Sequence, residues 1–352
     1  MASEREIFED SGPLYLTAVD WDNFHHKRSV AASLVQGVYN LERDRQQNRQ
    51  DHQSQASPWW SSFRFELIKQ LKDGVDSSIF GAIYRYNNPS VRHHKCPINV
   101  IAFRGTLTKP GSMFRDIKLD IKVFLSKLHQ DSRFHLALQA VQDVVAKIGT
   151  ANIWLAGHSL GAAIALLVGK NMAREDYPIE TYLFNPPFIS FPKLKPVIRI
   201  ASSFLKATIA PVMGKHQTDD SFFALSGWFP HLFVNPDDHV CSGYIGYFEH
   251  RKKMAEIGAA KIERRATQIS TGNMIFGKQE GGCEPLHLLP SANLTINVIQ
   301  SPDFKRAHGI LQWWDRSFHG RSERHQLRGV AHMVECSIRM QEALQQYFSE
   351  FL

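Results

Sequence analysis

Apolar residues recur along this chain in two rhythms, one with helical and one with strand spacing. Over 27–47, Val30, Leu34, Val38 and Leu41 share one helical face, so that stretch predicts a helix. It runs into the polar segment 43–57, which reads as an exposed loop. After Pro58-Trp59-Trp60, residues 63–72 predict another helix. Ile79–Tyr86 alternates and predicts a strand, as does 98–103, which ends at Arg104-Gly105-Thr106. Phe134, Leu138, Val141, Val145 and Ile148 place a helix over 131–148 that Gly149 stops. Further strands are expected at 153–156, 179–184, 232–234 and 294–299, followed by a C-terminal helix over about 328–349. Strands alternating with helices predict an α/β fold, a mostly parallel central sheet flanked by helices. Active groups of such a sheet gather at the carboxyl ends of its strands.

One junction in this series carries chemistry. The apolar run Ile153-Trp154-Leu155-Ala156 leads into Gly157-His158-Ser159-Leu160-Gly161, which opens Ala162-Ala163-Ile164-Ala165-Leu166-Leu167-Val168. A G-x-S-x-G arises by chance in roughly one sequence in ten of this length, so the strand before it and the helix after it decide its meaning. Together they describe a nucleophile elbow, whose glycines remove side chains that would collide across a tight turn. Ser159 then projects its hydroxyl, and the Leu160 amide lies at a helix N-terminus, suited to a developing oxyanion.

A serine nucleophile needs a histidine to take its proton and a carboxylate to fix that histidine's tautomer. In this fold they follow the serine in the order acid, then histidine. Asp238, after the strand ending at Val234, is the candidate acid, with Asp237 as its immediate competitor. Among the 17 histidines, His308 is the candidate base, from a loop that swings over the elbow, with His250, His287 and His319 as rivals. Thr106 is the candidate second oxyanion donor.

Composition narrows the alternatives. The chain has 352 residues, 43% of them hydrophobic, and a net charge of +7 that no basic stripe concentrates, so no nucleic-acid partner is expected. The first ten residues hold four acids and no apolar run, so no signal peptide is expected, and the apolar segment 153–169 is too short and too interrupted to cross a bilayer. Cys96, Cys241, Cys283 and Cys336 are far apart and fit free thiols in a reducing compartment. The expected location is therefore intracellular, cytoplasmic or peripherally membrane-associated. His25-His26 and His93-His94 lack metal-ligand spacing and no phosphate or dinucleotide loop occurs, so neither metal nor cofactor is expected. Residues 191–214 set Lys193, Lys195, Arg199 and Lys206 among apolar side chains, the pattern of a basic amphipathic helix. Packing against the core is one reading of it, and a lid or contact with an anionic lipid surface is the other.

Four stretches resemble the class 3 lipases of the α/β-hydrolase superfamily: Val100-Ile101-Ala102-Phe103-Arg104-Gly105-Thr106, the elbow, Phe184-Asn185-Pro186-Pro187, and Asn235-Pro236-Asp237-Asp238-His239-Val240-Cys241. The similarity covers about 75–320 and is closest to a plant subgroup whose members often carry the label GDSL esterase/lipase, although this chain has no Gly-Asp-Ser-Leu. The resemblance implies the α/β-hydrolase fold over 63–352; residues 1–62, read as an N-terminal helical extension and polar loop, and a lid-like insertion at about 190–230 are not covered by its general motifs. It also implies Asp238 rather than Asp237 as the acid, with Cys241 standing where the family usually has proline. His308, followed by Trp313 and Trp314, is loosely similar to the family's histidine motif. The activity implied is hydrolysis of carboxylic esters of acyl lipids through an acyl-enzyme. Two other readings use the same residues: a catalytically silent fold that binds a hydrophobic ligand, and acyl transfer to an acceptor other than water.

Overall fold

The computed structural model describes residues 18–50, 54, 59–87, 93–107, 131–188, 225–256 and 289–326. The expected helices over 191–214 and 328–349, together with His287, Cys283 and Cys336, lie outside these residues.

Helix α1 (Phe24–Gln46) begins where the Asn23 side chain accepts the His25 amide. After a 3-10 turn (Trp59–Phe63), strands β1 (Phe65–Lys72), β2 (Ile79–Tyr86) and β3 (Asn99–Phe103) form an antiparallel lead-in. Helix α2 (Ser132–Ile148) is capped by Asp131 and ends at Gly149, whose φ of +71° suits a residue without Cβ. Then follow β4 (Ile153–His158), α3 (Leu160–Arg174), β5 (Glu180–Phe184), β6 (His231–Val234), α4 (Gly243–Glu256), β7 (Ala292–Asn297), α5 (Phe304–His308) and β8 (Gly320–His325). The eight strands stand in chain order in one sheet, parallel from β3 to β7 and antiparallel at both margins.

Two expectations are corrected. Residues 63–72 form not a helix but the end of a 3-10 turn and then β1. A bulge at Ile68 shifts the pairing from Leu67↔Tyr84 to Lys69↔Ile83, so Phe65 and Leu71 end on opposite faces of the sheet. The resulting Phe63, Leu67, Leu71 spacing of four imitates a helix. The sheet also does not end with β7, because β8 follows as a polar, largely exposed edge strand.

Alternation along the central strands feeds two cores. Ile153, Leu155, Leu183 and Leu232 point to α2, α3 and α4, whereas Trp154, Ala156, Tyr182 and Phe233 point to α1 and to Trp313 and Trp314. Helix α1 is buried over most of its 23 residues and covers the second face. Among the described residues no helix is long and apolar enough to cross a membrane.

Candidate active site

The carboxyl ends of β3, β4, β5 and β6 converge, and the elbow stands at their centre. Ser159 links β4 to α3 with φ +53° and ψ −122°, a conformation that costs a non-glycine residue about 1–3 kcal/mol. The neighbouring backbone leaves no room for relaxation. A Cβ on Gly157 would lie 2.3 Å from the Gly161 carbonyl oxygen, and one on Gly161 would lie 2.3 Å from that of Phe103. The Ser159 amide donates to the Phe184 carbonyl (3.0 Å), tying the turn to β5. Leu160 is the first residue of α3, so its amide has no partner within the helix.

His308 bridges the other two candidates. Its Nε2 lies 2.9 Å from Ser159 Oγ, and its Nδ1 lies 2.9 Å from Asp238 Oδ2. The carboxylate accepts from Nδ1–H, which leaves Nε2 as an acceptor for the serine proton. Asp238 is fully buried, and burial pushes its carboxyl up, but His308, the Val240 amide and Asn185 outweigh this and hold it below the ordinary carboxylate value. Val240 N donates to Oδ1 at 2.9 Å, while Asn185 Nδ2 (2.7 Å) and Cys241 Sγ (3.1 Å) donate to Oδ2. Asp237 is exposed and accepts instead from the Ser301 amide. Of the rival histidines, His319 is exposed and bonded to the Ser317 carbonyl, and His250 lies on α4.

The expectation of a swinging loop is corrected. His308 ends the short helix α5, whose first turn is capped by Asp303, and its side chain is only 14% exposed. Three consecutive carbonyls around it are held by side chains from elsewhere. Ala307 O accepts from Asn185 Nδ2 (3.0 Å) and Gln312 Nε2 (2.7 Å), His308 O accepts from His158 Nε2 (2.7 Å), and Gly309 O accepts from Gln312 Nε2 (2.8 Å). Gln312 is oriented in turn by Asn235 and Asn297, which donate to its Oε1 at 2.7 and 3.0 Å. Asn185, at φ +46°, also accepts from Trp313 Nε1 at 2.6 Å, so all its amide atoms are used.

Thr106 is exposed at the end of the β3 loop, next to a Gly105 so tightly placed that a Cβ there would lie 2.8 Å from Ser159 Cβ. Arg104 fixes this loop by donating to the Ile79 and Gly105 carbonyls at 2.6 and 2.7 Å. The Gly105 amide donates to the hydroxyl of Tyr39, on α1, at 2.8 Å. The arrangement suits acyl transfer: a hydroxyl, an imidazole and a carboxylate in line, beside backbone amides able to meet negative charge. Sequence reasoning missed Tyr39, His158, Asn185 and Gln312 as supporting residues. Two of these, His158 and Asn185, stand inside the quoted motifs, which was their available signal.

Comparison with known proteins shows the family of the chain. Residues 100–195 match the family model of Lipase (class 3). An Arabidopsis thaliana protein named GDSL esterase/lipase is 50% identical over 341 residues, covering 89% of this chain and 96% of its own length. Two fungal structures share less. The lipase from Rhizopus microsporus var. chinensis is 17% identical over 68% of this chain and 69% of that one, with a TM-score of 0.32. The Rhizomucor miehei lipase propeptide complex is 14% identical over 68% and 62%, with a TM-score of 0.31.

Proposed function

We propose, because this chain belongs to the class 3 lipase-like α/β-hydrolases, that it is a serine hydrolase cleaving carboxylic esters of acyl lipids through an acyl-enzyme. Ester hydrolysis by a lipase-like enzyme follows from the family. The catalytic set is a finer reading carried by one observation, that His308 lies 2.9 Å from both Ser159 Oγ and Asp238 Oδ2, and the lipid substrate is a finer reading supported by the match to Lipase (class 3).

In this mechanism His308 Nε2 takes the Ser159 proton as Oγ adds to the ester carbonyl. The oxyanion is met by the Leu160 amide and by Thr106. Collapse breaks the carbon–oxygen bond to the alcohol, which leaves with the proton from His308. Water then adds to the acyl-enzyme, giving a proton to His308. The second collapse releases the fatty acid and returns that proton to Oγ. Asp238 keeps Nδ1 protonated throughout and stabilises the imidazolium, a task that suits a carboxylate held ionised.

The test is fatty-acid release from emulsified triacylglycerol, phospholipid vesicles and a soluble short-chain ester. The purified chain releases acid from at least one of them, and folded Ser159→Ala from none. No release from any ester contradicts the reading and favours a silent ligand-binding fold, and equal release by the variant contradicts it by placing the activity away from Ser159. Peripheral contact with anionic membranes is supported by the basic and apolar composition of 191–214. Reversing Lys193, Lys195 and Arg199 then weakens binding to anionic vesicles, and unchanged binding removes that part of the proposal.

A further inference from the structure

We infer that Tyr39 is a positioning residue for this reaction, acting through His158 to set the base against the oxyanion loop. The inference rests on the function proposed above.

Tyr39, on helix α1, lies 119 residues before the elbow histidine, yet its OH is 2.8 Å from His158 Nδ1 and 2.8 Å from the Gly105 amide. The directions of this chain are fixed by its ends. Gly105 N–H can only donate, so the Tyr39 oxygen accepts it. The His308 carbonyl can only accept, so His158 Nε2 carries the proton. Nδ1 of a neutral imidazole is then an acceptor, and the Tyr39 proton goes to it. One assignment satisfies every group: Gly105 N–H to Tyr39, Tyr39 O–H to His158, His158 N–H to His308.

Burial is consistent with this assignment. It pushes the His158 imidazole down to about 3, with the nearby His308 adding to the effect, so the ring stays neutral. It pushes the Tyr39 phenol up to about 12, so the hydroxyl keeps its proton. His158 is 5% exposed and Tyr39 8%, which excludes bulk water as a substitute partner. What the chain connects gives it meaning. Gly105 precedes the candidate oxyanion donor Thr106, and the carbonyl at the far end belongs to the base itself. Ser159 follows His158 directly, so nucleophile, base and oxyanion loop share one polar support.

The test uses Tyr39→Phe, which removes one oxygen from a ring that keeps its packing. Labelling of Ser159 by a fluorophosphonate gives two readouts: amplitude counts correctly folded sites, and the rate constant reports how well they are aligned. For Tyr39→Phe we expect full amplitude, a rate constant lower by roughly 10- to 100-fold, and the same loss in kcat for a soluble p-nitrophenyl ester with KM within about twofold. His158→Gln, whose amide nitrogen can still reach the His308 carbonyl, should label several-fold faster than His158→Asn. Full amplitude with an unchanged rate constant overturns the inference, as does reduced amplitude with an unchanged rate constant. If Tyr39→Phe does not fold, equal rate constants for the two His158 variants overturn it. Wild-type protein that fails to label above the Ser159→Ala control instead overturns the function on which the inference rests.

Discussion

The elbow and the segment that carries His308 meet at one hydrogen bond, yet they are built by opposite means. Ser159 is fixed by five consecutive residues whose constraints are backbone against backbone: a positive φ and two glycines with no space for a methyl group. His308 is fixed by side chains from remote elements, Asn185 across 122 residues and His158 across 150, each holding a carbonyl. The difference teaches where precision is stored. At the elbow it is steric and all-or-none, and at His308 it is distributed over hydrogen bonds and should fail by degrees.

The largest expected effect is on turnover. Ser159→Ala or His308→Ala should lower kcat by at least about 10⁴-fold with the fold intact by circular dichroism. A small loss in either would separate the reaction from this site. The steric side breaks next, through stability: Gly161→Ala drives a methyl group into the Phe103 carbonyl, and thermal melting should show loss of cooperative folding or a large drop in Tm. A variant that melts like wild type would show that the elbow can relax.

The distributed side should respond more gently. Asn185→Gly keeps the positive φ accessible and deletes the bonds to Asp238, Ala307 and Trp313. We expect roughly 2 kcal/mol less stability by denaturant titration, since buried partners are left unpaired, and a roughly tenfold lower kcat. Gln312→Ala removes support from the carbonyls of Arg306, Ala307 and Gly309 but leaves Asn185 and His158 in place, so a loss of several-fold or less is expected.

The smallest effect concerns pH. Burial lowers His158 to about 3 and His231 to about 4, both below the ordinary 6.5. The unfolded chain therefore binds protons that the folded chain refuses. Stability from these two neutral rings is full above about 6.5 and declines as pH falls towards those folded values, by roughly 1.4 kcal/mol per pH unit and group. Asp238 has the depressed pKa of a supported carboxylate, so its contribution is present above the ordinary 3.8 and is lost only at lower pH. Between pH 6.5 and 5, His158→Gln should flatten the decline by roughly 2 kcal/mol, measured as ΔG against pH. An unchanged slope would show that His158 takes up a proton in the folded state.

The same contrast explains what could be read from the chain. The elbow's strand, glycines and helix are adjacent in sequence, and β2 and α2 follow plain apolar periodicities. Residues 63–72 misled because the bulge at Ile68 breaks the alternation that marks a strand. Strand β8 has no apolar residue to announce it, since it lies at an exposed edge. Asp237 and Asp238 are equivalent in composition; the family resemblance alone favours Asp238, and the physical reason is the inward turn of one and the outward turn of the other. Tyr39 falls among the buried apolar positions of α1, where an aromatic side chain reads as core. Its hydroxyl acquires meaning only once Gly105 and His158 are folded against it.

The chemistry proposed for this site depends on Ser159 being an activated nucleophile. Its most direct test is reaction of the intact chain with a fluorophosphonate, followed by peptide mass spectrometry to locate the adduct. One adduct is expected, on Ser159, abolished in folded Ser159→Ala and strongly slowed in His308→Ala. An adduct on another residue, or none on Ser159 in folded protein, would contradict it.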